Sequence, residues 1–240
     1  APVAIPPNLI PADAEYIEPH MLPLIALSQA GIDAIAAAVP GGARNIQDIY
    51  PLAPLQEGIL FHHLLQTQGD TYLLRAVIGF DSRARMDGFL RELQATIDSH
   101  DVLRTVACWE GVPEPVQVVL RRASLPLEEI AAVPGQTPRA ALGAHTDPSR
   151  LRLDLRQGPL LRAYAIADEG GEWLLALVNH HFISDHITLA AVVDEIAMRL
   201  AGKGAQLQAA VPFREFIART RLSGSADHEA ARTGRAPRPG

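Results

Sequence analysis

An apolar run from Trp173 to Val178 passes without a spacer into Asn179-His180-His181-Phe182-Ile183-Ser184-Asp185-His186. Behind it come Leu189, Val192, Val193, Ile196, Ala197 and Leu200. The run reads as a buried strand, and the second set lies on one face of a helix. Two adjacent histidines and an aspartate therefore occupy a strand-to-helix turn, at the carboxyl end of a strand, where open sheets expose their crevices. Neighbours in a strand point to opposite faces, so only one of His180 and His181 can face a given cavity, and the pair makes a poor metal site.

Other segments organise around this turn. Leu55, Ile59, His62, His63 and Gln66 fall at helical spacing, which predicts a helix ending near Gly69. Met86, Phe89, Leu90, Leu93 and Ile97 mark a second helix. Apolar runs bounded by turn formers predict strands over 72–80, 105–110, 115–120, 160–167 and 173–181. Strands mixed with helices over the whole length imply an α/β sandwich, a mixed β-sheet with helices packed on one side.

Before residue 45 the chain runs through Pro2, Pro6, Pro7, Pro11 and Pro19 without apolar periodicity, which reads as an extended linker. Within it Ser28 can cap a short helix carrying Ile32, Ile35 and Val39, closed by Pro40-Gly41-Gly42. Residues 1–44 are thus expected to be an interdomain linker with a docking helix. The segment 230–240 lacks an apolar anchor and is expected to be a disordered tail.

Composition sets outer bounds. A chain of 240 residues with 48% hydrophobic and 20% charged residues suits a folded domain or large lobe. No run approaches the roughly 20 apolar residues of a spanning helix, and no signal peptide is visible, so a cytoplasmic location and no membrane partner are expected. The net charge of −6 argues against nucleic acid. Cys108 is the single cysteine, which excludes an internal disulfide, and no Cys/His grouping has structural-zinc spacing, so no metal is expected.

The histidine turn resembles the HHxxxDG motif of nonribosomal peptide synthetase condensation domains, members of the chloramphenicol acetyltransferase-like fold. Tyr50-Pro-Leu-Ala-Pro-Leu-Gln-Glu-Gly-Ile-Leu-Phe-His62-His63 resembles the opening motif of that family, and Ser99-His-Asp-Val-Leu-Arg104-Thr105 its RHxxLRT motif, in family order. His62-His63-Leu-Leu-Gln-Thr-Gln-Gly69-Asp70 is similar to the HH[I/L]xxxxGD pattern of dual epimerisation/condensation domains.

The resemblance covers roughly residues 45–229 and implies the amino-terminal lobe of a domain nearly twice as long, cut from a longer polypeptide. It implies amide-bond formation between a donor thioester and an acceptor amine on carrier-borne phosphopantetheine arms, with no cofactor bound directly. Upstream and downstream peptidyl carrier domains and an adenylation domain would be partners. His181, with His180 beside it, would be catalytic. Asp185 and Arg104 would pair to support the site, Ser184 and His186 would line the turn and tunnel, and His62, His63, Gly69 and Asp70 would serve epimerisation. His186 stands where the family usually has glycine, which adds bulk.

Two rival readings are a stand-alone acyltransferase of the chloramphenicol acetyltransferase type and a carrier-docking lobe without catalysis. For His62, His63 and Asp70 the competing assignment is a partly exposed helix end closed by a Gly-Asp turn. His20, His100, His145 and His228 read as ordinary core or surface residues.

Overall fold

This computed structural model describes residues 5–183 and 186–220 and, within its last long helix, the side chains from residue 191 onward. The strands are β1 Ile46–Pro51, β2 Leu73–Phe80, β3 Thr105–Cys108, β4 Val116–Leu120, β5 Leu127–Glu129, β6 Leu161–Ala167 and β7 Trp173–His180. The helices are α1 Gln29–Ala38, α2 Pro54–Leu65, α3 Arg83–Ser99, α4 Pro138–His145 and α5 His186–Leu200, and a further helix spans 213–220.

Period-two alternation explains the larger sheet, ordered β2-β7-β6-β5. It is mixed, since β5 runs parallel to β6 while the other pairs are antiparallel. Leu175 and Leu177 of central β7, with Ala163 and Ala165 of β6, pack under Met86, Phe89, Leu93 and Ile97 of α3 and Val192 and Ile196 of α5. The alternate residues Leu174, Ala176 and Val178 meet Ala141 and Leu142 of α4. Because both faces are covered, β7 reads as a continuous apolar run rather than an alternating one.

A second, antiparallel sheet has the order β1-β4-β3. The stretch expected as a linker lies on it: Ile10, Ile17, Leu22, Ile25, Leu27, Ile32 and Ile35 are buried against Ile46, Val116, Val118 and Leu120. Outside α1 this stretch is mostly irregular chain, so its buried residues carry no helical or strand period. Ser28 does cap α1, its side chain accepting from Gly31 N.

The expected strands and α3 are all present, with β3 stopping at Cys108 and α2 at Leu65, before Gly69. Three elements were not anticipated. β1 is buried on both faces and shifts register between Ile46 and Asp48, which breaks alternation. β5 has three exposed residues, too few for a period. α4 has eight residues, and its signals are the Thr137 cap and Pro138 at the first turn.

Helix α5 is tied to α3 by polar contacts. His100 Nε2 lies 2.6 Å from Glu195 Oε2, and Glu195 Oε1 accepts from Ser99 Oγ and from Arg199. Burial alone would raise the Glu195 carboxyl, but the His100 and Arg199 hydrogen bonds and their charges bring it below its usual range. His100, expected to be ordinary, thus helps to seat the helix behind the histidine turn.

Candidate active site

The carboxyl end of β7 divides the two histidines as strand geometry requires. His180 is fully buried, whereas His181 is half-buried and lines a cavity of about 460 Å³ with Gln56, Val102, Ile183, Phe213 and Phe216. That volume is in the range of small-molecule sites. Phe213 and Phe216 come from the helix at 213–220, whose first residue donates its N–H to Asp101 Oδ2 at 2.9 Å.

The turn is held from both ends of α2. At the amino end, Gln56 Oε1 accepts from Ala53 N, and its amide donates to Phe182 O at 3.2 Å while pairing with buried Gln117. A glutamine three residues after the cap position is the usual reach-back of a helix start. That spacing was the available signal for Gln56, which sequence reasoning passed over. Gln117 carries no such signal, being one polar residue in an otherwise apolar strand.

At the other end, His63 and His62 diverge because consecutive helical positions are about 100° apart. His63 is buried and His62 exposed. Past the helix, Gly69 adopts φ +65, and a Cβ there would lie 2.6 Å from Ser149 O, so the position accepts only glycine. The tight passage brings Asp70 N to Pro148 O at 2.9 Å and turns the carboxylate inward. Asp70 Oδ2 is 3.0 Å from both His63 Nδ1 and His180 Nε2, and Oδ1 accepts from Tyr72 N. A partly exposed helix end is therefore incorrect for His63 and Asp70: with 3% and 2% exposure they are core residues joined to the histidine turn. Their burial pattern is long-range, across 110 residues for Asp70 and His180, so no local period announces it.

The hydrogen bonds fix protonation. Phe182 N–H donates to His180 Nδ1 at 3.0 Å, so the ring proton of neutral His180 sits on Nε2, aimed at Asp70. Burial lowers the His180 pKa, with Asp70 opposing, and the neutral ring is favoured. Burial would raise the Asp70 carboxyl, but His180, His63 and the Tyr72 N–H together hold it well below the usual carboxylate range. His63, Asp70 and His180 offer ligand atoms within 4.8 Å of one another. A cation bound at His180 Nε2 would have to displace that proton while Phe182 N–H still claims Nδ1, so the donor set fits a hydrogen-bonded triad better than a metal.

The remaining expected residues are placed unevenly. Exposed His62 has its Nδ1 3.1 Å from Tyr72 OH. Arg104 is buried and donates from Nε to Ile97 O and from Nη1 to Gln47 Oε1 and Leu120 O. Its proposed partner Asp185, and Ser184, lie outside the described residues. His186 opens α5, and its side chain lies outside the described part.

The fold around the histidine turn is shared with condensation domains. Among solved structures, the condensation domain of the monacolin K polyketide synthase superposes with a TM-score of 0.59 at 18% identity, over 81% of this chain and 44% of that one. A family model described as the condensation domain matches residues 46–233, and the chain belongs to that family. Malpinin synthetase of Mortierella alpina is 46% identical over 229 residues, 95% of this chain and 3% of the synthetase. Malpibaldin synthetase of the same organism is 44% identical over 218 residues, 90% of this chain and 4% of the synthetase. The chain thus spans a small fraction of the curated relatives that it matches. Among the described residues, no helix is long and apolar enough to cross a membrane.

Proposed function

We propose that this chain forms the histidine-bearing lobe of a domain that joins a carrier-bound aminoacyl or peptidyl thioester to a carrier-bound aminoacyl amine. The observation that carries the reading is His181, presented by the end of β7 at an apolar cavity. The cavity would exclude water and align the reactants, and alignment can contribute a large share of the acceleration. His181 would take the proton released as the amine nitrogen attacks the thioester carbonyl, and return it to the thiolate that leaves when the C–S bond breaks. General-base help of this kind is worth about 10² to 10⁴ in rate. The phosphopantetheine arms belong to the flanking carriers, and an adenylation domain would load them.

Prior epimerisation of the donor residue is the finer part of the proposal. The HH[I/L]xxxxGD-like segment supports it, and in this reading exposed His62, with Tyr72 OH 3.1 Å from its Nδ1, would handle the α-proton. Carrier docking without catalysis draws support from a different feature, the exposed apolar face of Phe61, Leu64 and Leu65 on α2.

A single-turnover assay with loaded donor and acceptor carriers, read by chiral mass spectrometry, separates these. Dipeptide with inverted donor configuration is expected, with its rate reduced at least about 100-fold in His181→Ala and its inversion lost in His62→Ala. Retained carrier binding with no product from any variant would favour the docking reading.

A further inference from the structure

The triad under the histidine turn has a direction. Asp70 Oδ2 accepts a hydrogen bond from the Nε2–H of His180, which leaves Nδ1 as an acceptor, and Nδ1 accepts from the N–H of Phe182. Phe182 is the residue after His181, so the backbone on both sides of His181 is set by one imidazole whose orientation and tautomer come from a loop more than a hundred residues earlier. Three other bonds frame the same turn: His181 N to Tyr72 O, Ile183 N to His180 O, and Gln56 to Phe182 O. Asp70 at Nε2 and the Phe182 N–H at Nδ1 together determine which ring nitrogen of His180 bears the proton, and of the two only Asp70 lies outside the turn. His63 Nδ1 on the same oxygen, and Arg152 reaching His63 O and Gly69 O, keep the carboxylate in place.

We propose that Asp70 is a positioning residue for the amide-forming step: through His180 and Phe182 it holds the turn that presents His181 to the cavity. The Asp70 segment then serves condensation whether or not the donor is epimerised. This inference rests on the reading that His181 serves the reaction, and it makes a separate claim about the turn itself. Without the carboxylate, only the Phe182 N–H holds the His180 proton on Nε2; a ring that carries it on Nδ1 leaves that N–H without its acceptor, and His181 samples other orientations. A buried donor left unpaired in this way is costly, so the turn would rearrange rather than persist.

The test uses the full chain, labelled with nitrogen-15, as wild type, Asp70→Asn and His181→Ala. In wild type near neutral pH, the His180 ring is expected as the Nε2–H tautomer, with the Phe182 amide slow to exchange with solvent. In Asp70→Asn, the Phe182 amide should exchange at least tenfold faster, while amides in the β6–β7 ladder keep their protection. With loaded carriers, the rate at saturating acceptor should fall at least tenfold in Asp70→Asn with half-saturation unchanged. A wild-type His180 protonated at Nδ1, or Phe182 exchange unaltered by Asp70→Asn, overturns the proposal. Should wild type and His181→Ala behave alike in the carrier assay, the amide-forming reading fails, and the ring and exchange signals still decide what Asp70 does. Should the substitution unfold the protein, the Nε2–H of His180 in wild type decides: it is expected to be slow to exchange, held by Asp70, and an Nε2–H that exchanges freely with solvent overturns the proposal.

Discussion

At residue scale, two glycines of the same motif region show opposite constraints. Gly69 combines left-handed backbone with a Cβ position 2.6 Å from a backbone oxygen, whereas a Cβ at Gly58, mid-helix in α2, would meet nothing within 4 Å. Left-handed conformation costs an ordinary residue about 1–2 kcal/mol, and here the displaced neighbour is backbone that cannot rotate away. Gly69→Ala is expected to lower the unfolding free energy by about 2–4 kcal/mol. Gly58→Ala should raise it by about 1 kcal/mol, the usual gap between the two residues in a helix. Urea denaturation of both variants measures this, and equal effects would contradict the crowding seen at Gly69.

The strand-to-turn junction and the split between His180 and His181 followed from period-two geometry alone. Gly69-Asp70 was visible as a turn, yet the burial of Asp70 depends on Pro148, Ser149 and His180, which no local pattern links to it. Arg104 was singled out through Asp185, which lies outside the described residues; the bonds described for it go to the carbonyls of Ile97 and Leu120 and to Gln47, partners that no local pattern announces.

Among elements, the seating of α5 matters most, because this helix continues from the histidine turn. Its apolar stripe was legible from Val192 and Ile196, but the polar latch of His100 and Glu195 was not, since the two lie 95 residues apart. Strands with buried faces were equally legible, whereas β1 and β5 were missed because a register shift and a three-residue length erase the period. A charge-assisted hydrogen bond contributes about 1.5–3 kcal/mol, and partial exposure of His100 reduces that. Glu195→Gln is expected to cost about 1–2 kcal/mol at neutral pH. The folded carboxyl of Glu195 titrates below its ordinary value of 4.5, so the contribution is present above that pH and is lost as pH falls further. Thermal melts of the pair should differ at pH 7 and converge in acid; a constant gap would mean that the latch is not ionic.

For the molecule as a whole, the question is what holds the helix at 213–220 against the three-stranded sheet, since this contact closes the cavity beside His181. Ile217 and Ala218 are buried, and Ile217 packs with Tyr50 and Val119. Arg214 lies beside Asp48 of β1, with Nε 2.9 Å from Oδ2 but not aligned as a hydrogen bond. Burial dominates Asp48 over the attraction of Arg214, and its carboxyl is pushed from 3.8 up to about 6. A raised carboxyl pKa favours the folded state while protonated: the contribution is fully present below pH 3.8 and is lost as pH rises through about 6. A shift of this size corresponds to roughly 3 kcal/mol as an upper figure. Asp48→Asn removes the titration and leaves Arg214 without a counter-ion at every pH, a penalty that adds a constant offset. The stability of the variant relative to wild type should therefore rise between pH 4 and pH 7, by up to about 3 kcal/mol. Asp101, which burial also raises, titrates in both proteins, and its charge adds to the rise at Asp48. Chemical denaturation of both proteins across that range reads the slope. A difference that falls as pH rises would mean that the Arg214 pair outweighs desolvation and that ionised Asp48 is what clamps the helix over the cavity.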